Sequence, residues 1–470
     1  MKVLFATAEL APLVRVGGLA EAASGLVRAL RRRGVNVEVA LPDYFGTVLQ
    51  NESVSSIDGP DWVGPIRIRR GELDGFGDLT LIDAAGTRRP HPYVALESGE
   101  GWPDNDQRFF AFSWAVAELA RIRKVQVVHL NDWHTAAAVA WLPPTVRSVL
   151  SLHNLAHQGI ASGEWLERFR ENSPQPDRVT AAFECFGAVN PLGGAIQLVQ
   201  KVIAVSPNYA AEITGPKDGF GLEAMLQQRG LDLIGILNGI DAEEWSPATD
   251  PHLVQRYATL NAAGLRAKHA NRAKLLASFD LDDTATGPVI AMVSRLVEQK
   301  GVDLLLDAAQ YLDSWNARLV VLGAGDPGLG AALHQRARTS KRTVGFQEGY
   351  DLALAHQIFG GADLFVMPSR FEPCGLAQMQ AMAYGTIPVT TSVGGLVDTV
   401  IDFDSDPGAG NGFRSPHSSG AGLVDAIHRA VRAWTVPARR KVLLQNAMQR
   451  DWSWTEPAAR YGDVYRQISR

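Results

Sequence analysis

Cysteine is scarce in this chain, with only Cys185 and Cys374 in 470 residues. They stand far apart and match neither a zinc spacing nor a disulfide framework, which suits a reducing cytoplasm. No run of 18 apolar residues occurs, so no membrane-spanning helix is expected. The opening MKVLFATAEL has one cation and a short apolar run that Glu9 interrupts. No cleavage pattern follows, and the stretch reads as a first strand, not a signal peptide. A basic surplus is also missing: the net charge is −5 and the pI about 6.1. Nucleic acid and anionic membranes are therefore not expected partners. The G-x-G-x-x-G fingerprint with an acid about 20 residues on is not met, which argues against a nicotinamide dehydrogenase. Internal repeats and low-complexity tracts are absent.

What is present is a globular composition, 46% hydrophobic and 20% charged. The chain is too long for one ordinary core, so two or three domains are expected. Apolar runs of strand length alternate with helical patterns, as parallel α/β sheets require. Lys2–Ala6 reads as a central strand, and Leu19, Ala22, Ala23, Leu26, Val27 and Leu30 form one helix face. Gly34 caps that helix, and Val35–Leu41 is the second strand. Further strands are expected at Val125–Leu130, Val149–Leu152 and Val202–Val205, with Ser206 as the N-cap of a following helix. A proline-marked stretch, Trp245–Pro251, is placed as the domain junction. A second sheet then runs through Val289–Val293, Leu319–Leu322, Asp363–Met367 and Ile387–Val389. The helix after Gly301 should turn Val302, Leu305, Leu306 and Ala309 inward. The expected division is residues 1–245, rejoined by a terminal helix at about 455–470, and residues 246–454.

Polar residues gather where strands end, which is where open parallel sheets bind ligands. Arg15-Val16-Gly17-Gly18 is a glycine turn opening a helix; it suits either an anion on the helix start or plain packing. His129-Leu130-Asn131-Asp132-Trp133-His134 crowds another strand end, without a standard zinc spacing. His153 follows a third strand and reads either as a packed histidine or as a ligand group. Arg295 and Lys300 leave one strand-to-helix corner together, as solvated surface or as a diphosphate clamp. Asp402-Phe403-Asp404 is a D-x-D among glycine and proline, and it reads as a solvated loop. The densest corner is Gly361–Gly395, where Ser369–Cys374 form a polar turn with Arg370 and Glu372, and Gly375 opens a helix.

The run SRFEPCGL, followed by YGTIPV and GGLVDTV, resembles the bacterial glycogen synthase and plant starch synthase family. The resemblance extends over nearly the whole chain, through DWH at Asp132, HNLAHQG at His153, GFGLE at Gly219, ILNGID at Ile236 and VSRLVEQKG at Val293. It implies the GT-B fold, two Rossmann-like domains facing across a cleft. It implies transfer of glucose from ADP-glucose to an α-1,4-glucan with retention, without cofactor or metal. By the same resemblance, Glu372, His153 and Asp132 are the catalytic candidates. Donor binding falls to Arg15, Gly17, Gly18, Arg295, Lys300, Tyr350, Cys374, Gly375 and Leu376, with Tyr350 stacking on adenine. Asn238 and Tyr209 are assigned to the acceptor side. Several positions depart from the family pattern: Arg15 for Lys, Asn131 for His or Cys, His157 for Tyr, Gly193 for Lys, Ala377 for Thr, Gln380 for Tyr, and Thr391-Ser392 for a pair containing Arg. The departures leave open a transferase with altered donor (UDP-glucose) or a short-maltoside product, and a weakly active glucan-binding or regulatory homologue.

Overall fold

The computed structural model describes residues 1–469. The chain divides into two compact units, residues 1–239 with 454–470, and residues 240–453.

The first unit is built on a nine-stranded sheet. Strand Lys2–Ala6 lies centrally, buried along most of its length as a strand covered on both faces must be. The chain first moves to one side, pairing Asn36–Pro42 in parallel with it. Gly77–Asp83 extends that side in parallel, and Pro65–Leu73 and Gln50–Asp58 finish it as an antiparallel edge. Residues 50–83 thus hold three strands. The chain then returns to the other side of the first strand with Val127–Asn131, followed outward by Arg147–Leu152, Lys201–Ala204 and Leu233–Gly235, all parallel. The order reverses between Lys2–Ala6 and Val127–Asn131, so the loops after these two strands flank one crevice.

Helix Gly18–Arg32 covers one face, burying Leu19, Ala22, Ala23, Leu26, Val27 and Leu30, the face its sequence marks. The terminal helix Thr455–Ile468 packs into the same core through Ala458, Tyr461, Val464 and Tyr465. Trp454 enters beside Gly25, where an added Cβ would lie 2.0 Å from the indole Nε1. Only glycine leaves room there.

The second unit carries six parallel strands in the order Val344–Glu348, Arg318–Gly323, Val289–Val293, Leu364–Met367, Ile387–Thr391, Phe413–Ser415. Here the reversal falls between Val289–Val293 and Leu364–Met367. Helix Val302–Ala308 and the turn after it bury Val302, Leu305 and Ala309 as expected, together with Leu304 and Ala308; Leu306 is only half-buried. Lys268, on helix Ala262–Ser278, is buried and makes no ion pair within 4 Å among the described residues, though the charge of Asp363 acts on it. Its ammonium donates to the carbonyls of Gly360 (3.3 Å) and Tyr384 (3.1 Å) and to Thr386 Oγ1 (2.9 Å). Burial lowers its pKa to about 8.

Two boundaries differ from the sequence expectation. Residues 240–245 belong to the second unit, where the Trp245 ring stacks on that of His356, nearly parallel to it with centroids 4.1 Å apart. His356 Nδ1 in turn meets Asp250 Oδ2 at 2.8 Å. Trp454 belongs to the first unit because its indole is buried beside Gly25. Large aromatic side chains, not the proline-marked loop, set the division.

Candidate active site

In the first unit, the crevice at the strand reversal is lined by residues from two strand ends. Glu9 follows strand Lys2–Ala6 and is buried. Its Oε2 accepts from the N–H groups of Val16 (2.9 Å) and Gly17 (2.8 Å), and its Oε1 from the Tyr93 hydroxyl (2.8 Å). The glycine turn is therefore folded around a carboxylate of the chain itself. The amide of Gly17, expected on the donor side, is engaged with Glu9 in this structure. Gly18, the first residue of the helix, is exposed and follows that anchored pair. Arg15 Nε pairs with Glu21 Oε1 at 3.2 Å. Sequence reasoning noticed Glu9 only as an interruption of an apolar run. The signal was a carboxylate just past a buried strand, eight residues before a glycine pair.

Asp132 ends strand Val127–Asn131 in a left-handed conformation, φ +54°. For a residue other than glycine this is uncommon and costs energy that the surroundings must offset. Here its N–H donates to Ser151 O (3.0 Å), and its Oδ1 accepts from the amides of His153 (2.7 Å) and Asn154 (3.3 Å). Burial outweighs these donors and pushes the carboxyl up to about 7. His153 is held down to about 4 by burial, so its ring is neutral at pH 7. Its tautomer follows from the network. Asn131 Nδ2 donates to Ala6 O (2.9 Å), which turns Asn131 Oδ1 toward His153 Nε2 at 3.0 Å. Nε2 thus carries the proton, and Nδ1 is the acceptor. Asn131, a departure from the family pattern, links the candidate histidine to the central strand.

The loop from His153 to Gly159 is pinned at both ends. Gly159 sits at φ +70°, and a Cβ there would come within 2.2 Å of Trp133 Cε3. Tyr209 OH accepts from Leu155 N at 3.0 Å and is fully buried. Tyr209, expected on the acceptor side, has its ring in the core, and its hydroxyl supports the loop. Asn238 is buried, and its Oδ1 has no hydrogen-bond partner among the described residues. A buried acceptor left open is where a ligand hydroxyl could bind. His129 is also core, bonded through Nδ1 to Tyr465 OH (2.6 Å) and through Nε2 to Ser151 Oγ (2.7 Å).

In the second unit the reversal brings together the loops after Val289–Val293 and Leu364–Met367. Lys300 Nζ meets Glu372 Oε2 at 2.5 Å, and Ser369 Oγ donates to the same oxygen at 3.0 Å. Glu372 is buried, and Oε1 is the oxygen these contacts leave open. Arg370, from the same turn, makes a two-pronged pair with Asp303 at 2.8 and 2.6 Å, locking the two loops together. Glycines fix the turn. Gly301 (φ +67°) would place a Cβ 2.1 Å from Pro368 O, and Gly394 (φ +44°) would place one 1.8 Å from Glu372 O. Arg295 is exposed, and its guanidinium makes no hydrogen bond or ion pair among the described residues. Gly375 lies at φ +72° and Leu376 caps helix Ala377–Ala383. Cys374 is buried, its carbonyl accepting from Gln378 Nε2 at 3.2 Å. That places its thiol in packing and leaves the adjacent backbone to do any binding. Tyr350 is exposed on the loop after Val344–Glu348. Thr391 and Ser392, where the family pattern has a cation, donate to the carbonyls of Ser369 (2.5 Å) and Ser415 (3.0 Å).

Residues 2–228 match the family model described as the starch synthase catalytic domain, and residues 277–450 match glycosyl transferases group 1. A glycogen synthase of Halorhodospira halophila is 40% identical over 481 residues, covering 100% of this chain and 99% of its own. One from Yersinia enterocolitica is 38% identical over 485 residues, covering 100% of both. Among solved structures, the catalytic domain of starch synthase IV from Arabidopsis thaliana, bound to ADP and acarbose, superposes with a TM-score of 0.87 at 32% identity, over 100% of this chain and 99% of that one.

Proposed function

The chain belongs to the glycogen synthase and starch synthase family of GT-B hexosyltransferases, and from that premise we propose how its two crevices divide the reaction. The substrates are ADP-glucose and the non-reducing end of an α-1,4-glucan. The second unit takes the nucleotide sugar. Arg295 and Lys300 face the diphosphate, Gly375 and Leu376 offer backbone N–H groups, and Tyr350 offers an exposed ring to the base. The first unit takes the transferred glucose and the acceptor through Asp132, His153 and Asn238, with Arg15 and Gly18 at the helix start.

The observation that carries this reading is the Lys300–Glu372 pair at the strand reversal of the second unit. Breaking the anomeric bond puts negative charge on the leaving diphosphate. Fixed cations and aimed N–H groups stabilise that charge more in the transition state than in the ground state. Lys300 is held beside Glu372 before substrate arrives, so little reorganisation is needed. Glu372 Oε2 is committed to Lys300 and Ser369, and Oε1 receives sugar hydroxyls. His153 Nδ1 accepts a hydrogen bond from a sugar hydroxyl while Nε2 donates to Asn131. No carboxylate is assigned as a covalent nucleophile, and the acceptor attacks from the face the diphosphate leaves. Turnover needs no metal and takes place in the cytoplasm.

The test is incorporation of labelled glucose from ADP-glucose and from UDP-glucose into glycogen, with and without a chelator. Transfer from ADP-glucose that survives chelation supports the reading. Faster transfer from UDP-glucose moves the donor assignment, a result for which Ala377 and the carbonyl-bound Thr391 give a reason. Transfer from neither donor leaves a glucan-binding homologue.

A further inference from the structure

A small sheet outside both crevices pairs Ala161–Ser162 with Ala188–Val189, and Ala188–Val189 with Glu184–Cys185. The last two strands are joined by a two-residue turn, Phe186-Gly187, with φ of +49° and +81°. Such a turn favours Asn-Gly, because both residues are left-handed. An aromatic residue at its first position is a genuine outlier. The ring gains nothing from the fold in return: Phe186 is fully exposed and makes no ring contact among the described residues. A strained, solvated aromatic is a reason to look for a ligand.

The neighbouring face mixes small and apolar residues. Ser162, Ala188 and Cys185 lie directly opposite one another and so share one face. Ile160 falls on that face by alternation and is largely exposed. The sheet is tied to the candidate site. Strand Ala161–Ser162 continues the loop that carries His153, and Val189 leads into Asn190, whose Nδ2 donates to Gln158 in that loop at 2.6 Å. The tip is held in place: Glu184 Oε1 accepts from Gly187 N at 3.0 Å, and Gly163 packs so closely that a Cβ would lie 2.3 Å from Gly187 O.

We propose that Phe186 and the Ile160–Ala188 face form a platform for the glucan chain, away from its reacting end. The proposal rests on the reading that the acceptor is an α-glucan. Pyranose rings present C–H faces that stack on an aromatic ring, and their hydroxyls need nearby acceptors. Exposed Glu184, two residues before Phe186, and exposed Ser162 and Glu164 at the neighbouring strand are the polar groups of this small sheet that can supply them. A single ring on a polar hairpin suits a sugar better than a dry protein contact, which needs a larger apolar centre.

Phe186→Asn is the decisive variant, because Asn accepts the turn and keeps the hairpin. Phe186→Tyr keeps the ring. Retention on glycogen in affinity gels and the KM for glycogen should weaken about three- to tenfold in Phe186→Asn. The kcat, the KM for ADP-glucose and the kinetics on maltotriose should stay as in wild type, and Phe186→Tyr should match wild type throughout. Unchanged glycogen retention in Phe186→Asn overturns the proposal. So does an equal loss on maltotriose, or a change of oligomeric state by sedimentation, which would make the ring a contact for a second copy. If the wild-type protein transfers glucose from neither donor, the catalytic reading fails, while the retention measurement still judges the platform.

Discussion

The two crevices are built at the same topological point and furnished in opposite ways. In the first unit, three polar groups near the strand ends are bound inward. Glu9 holds the glycine turn, Asp132 holds the His153 loop, and Asn131 holds the His153 ring. In the second unit the loops are locked by Arg370 and Asp303, while Arg295 and Tyr350 project outward. Burial has a price in charge: the first crevice keeps His153 neutral and favours a protonated Asp132. The second keeps charge by pairing Lys300 with Glu372. The difference fits the proposed division, in which one crevice handles neutral sugar hydroxyls and the other grips a diphosphate.

The sharpest way to break that contrast is to remove the charged pair. Lys300→Ala and Glu372→Ala should each lower kcat by about a hundredfold or more, read as labelled glucose entering glycogen. Retention of wild-type rates in both variants removes the assigned site. Next in size is Gly394→Ala, which forces a Cβ against the Glu372 carbonyl at a left-handed position. We expect destabilisation of about 1–3 kcal/mol, seen in the unfolding midpoint, and loss of activity alongside it. An unchanged midpoint would mean that the turn is soft.

The first crevice is probed by pH. Asp132 has its folded pKa raised from 3.8 to about 7. Between these values the unfolded chain has released the proton that the native state still holds. The stability contributed by Asp132 is therefore full below about pH 4 and is lost as pH rises through 7. Relative to Asp132→Asn, the wild-type protein should lose stability across that window in denaturant titrations at stepped pH. Parallel curves would show a carboxylate already ionised. The smallest effect belongs to Tyr209→Phe, which strips the acceptor from the Leu155 amide. It should cost about 1 kcal/mol of stability and leave the KM for short glucans unchanged. A raised KM would return Tyr209 to the acceptor side.

The sequence by itself determined the alternation of buried strands and amphipathic helices, because each is a local periodicity of apolar residues. Helix Gly18–Arg32 buries the face its pattern marks, and Ser206 caps its helix by accepting from Tyr209 N. The motifs also pointed to strand ends, since polar residues crowding a buried strand are visible in one dimension. Only the tertiary structure decided which groups those ends leave available. Glu9 takes the Gly17 amide from across a turn, Leu155 takes the Tyr209 hydroxyl from 54 positions away, and Lys300 meets Glu372 across 72. Hydrogen bonds and ion pairs act over about 3 Å, and sequence distance says nothing about which partners will come that close. The order of strands in the sheet does, and it is set by packing over the whole unit.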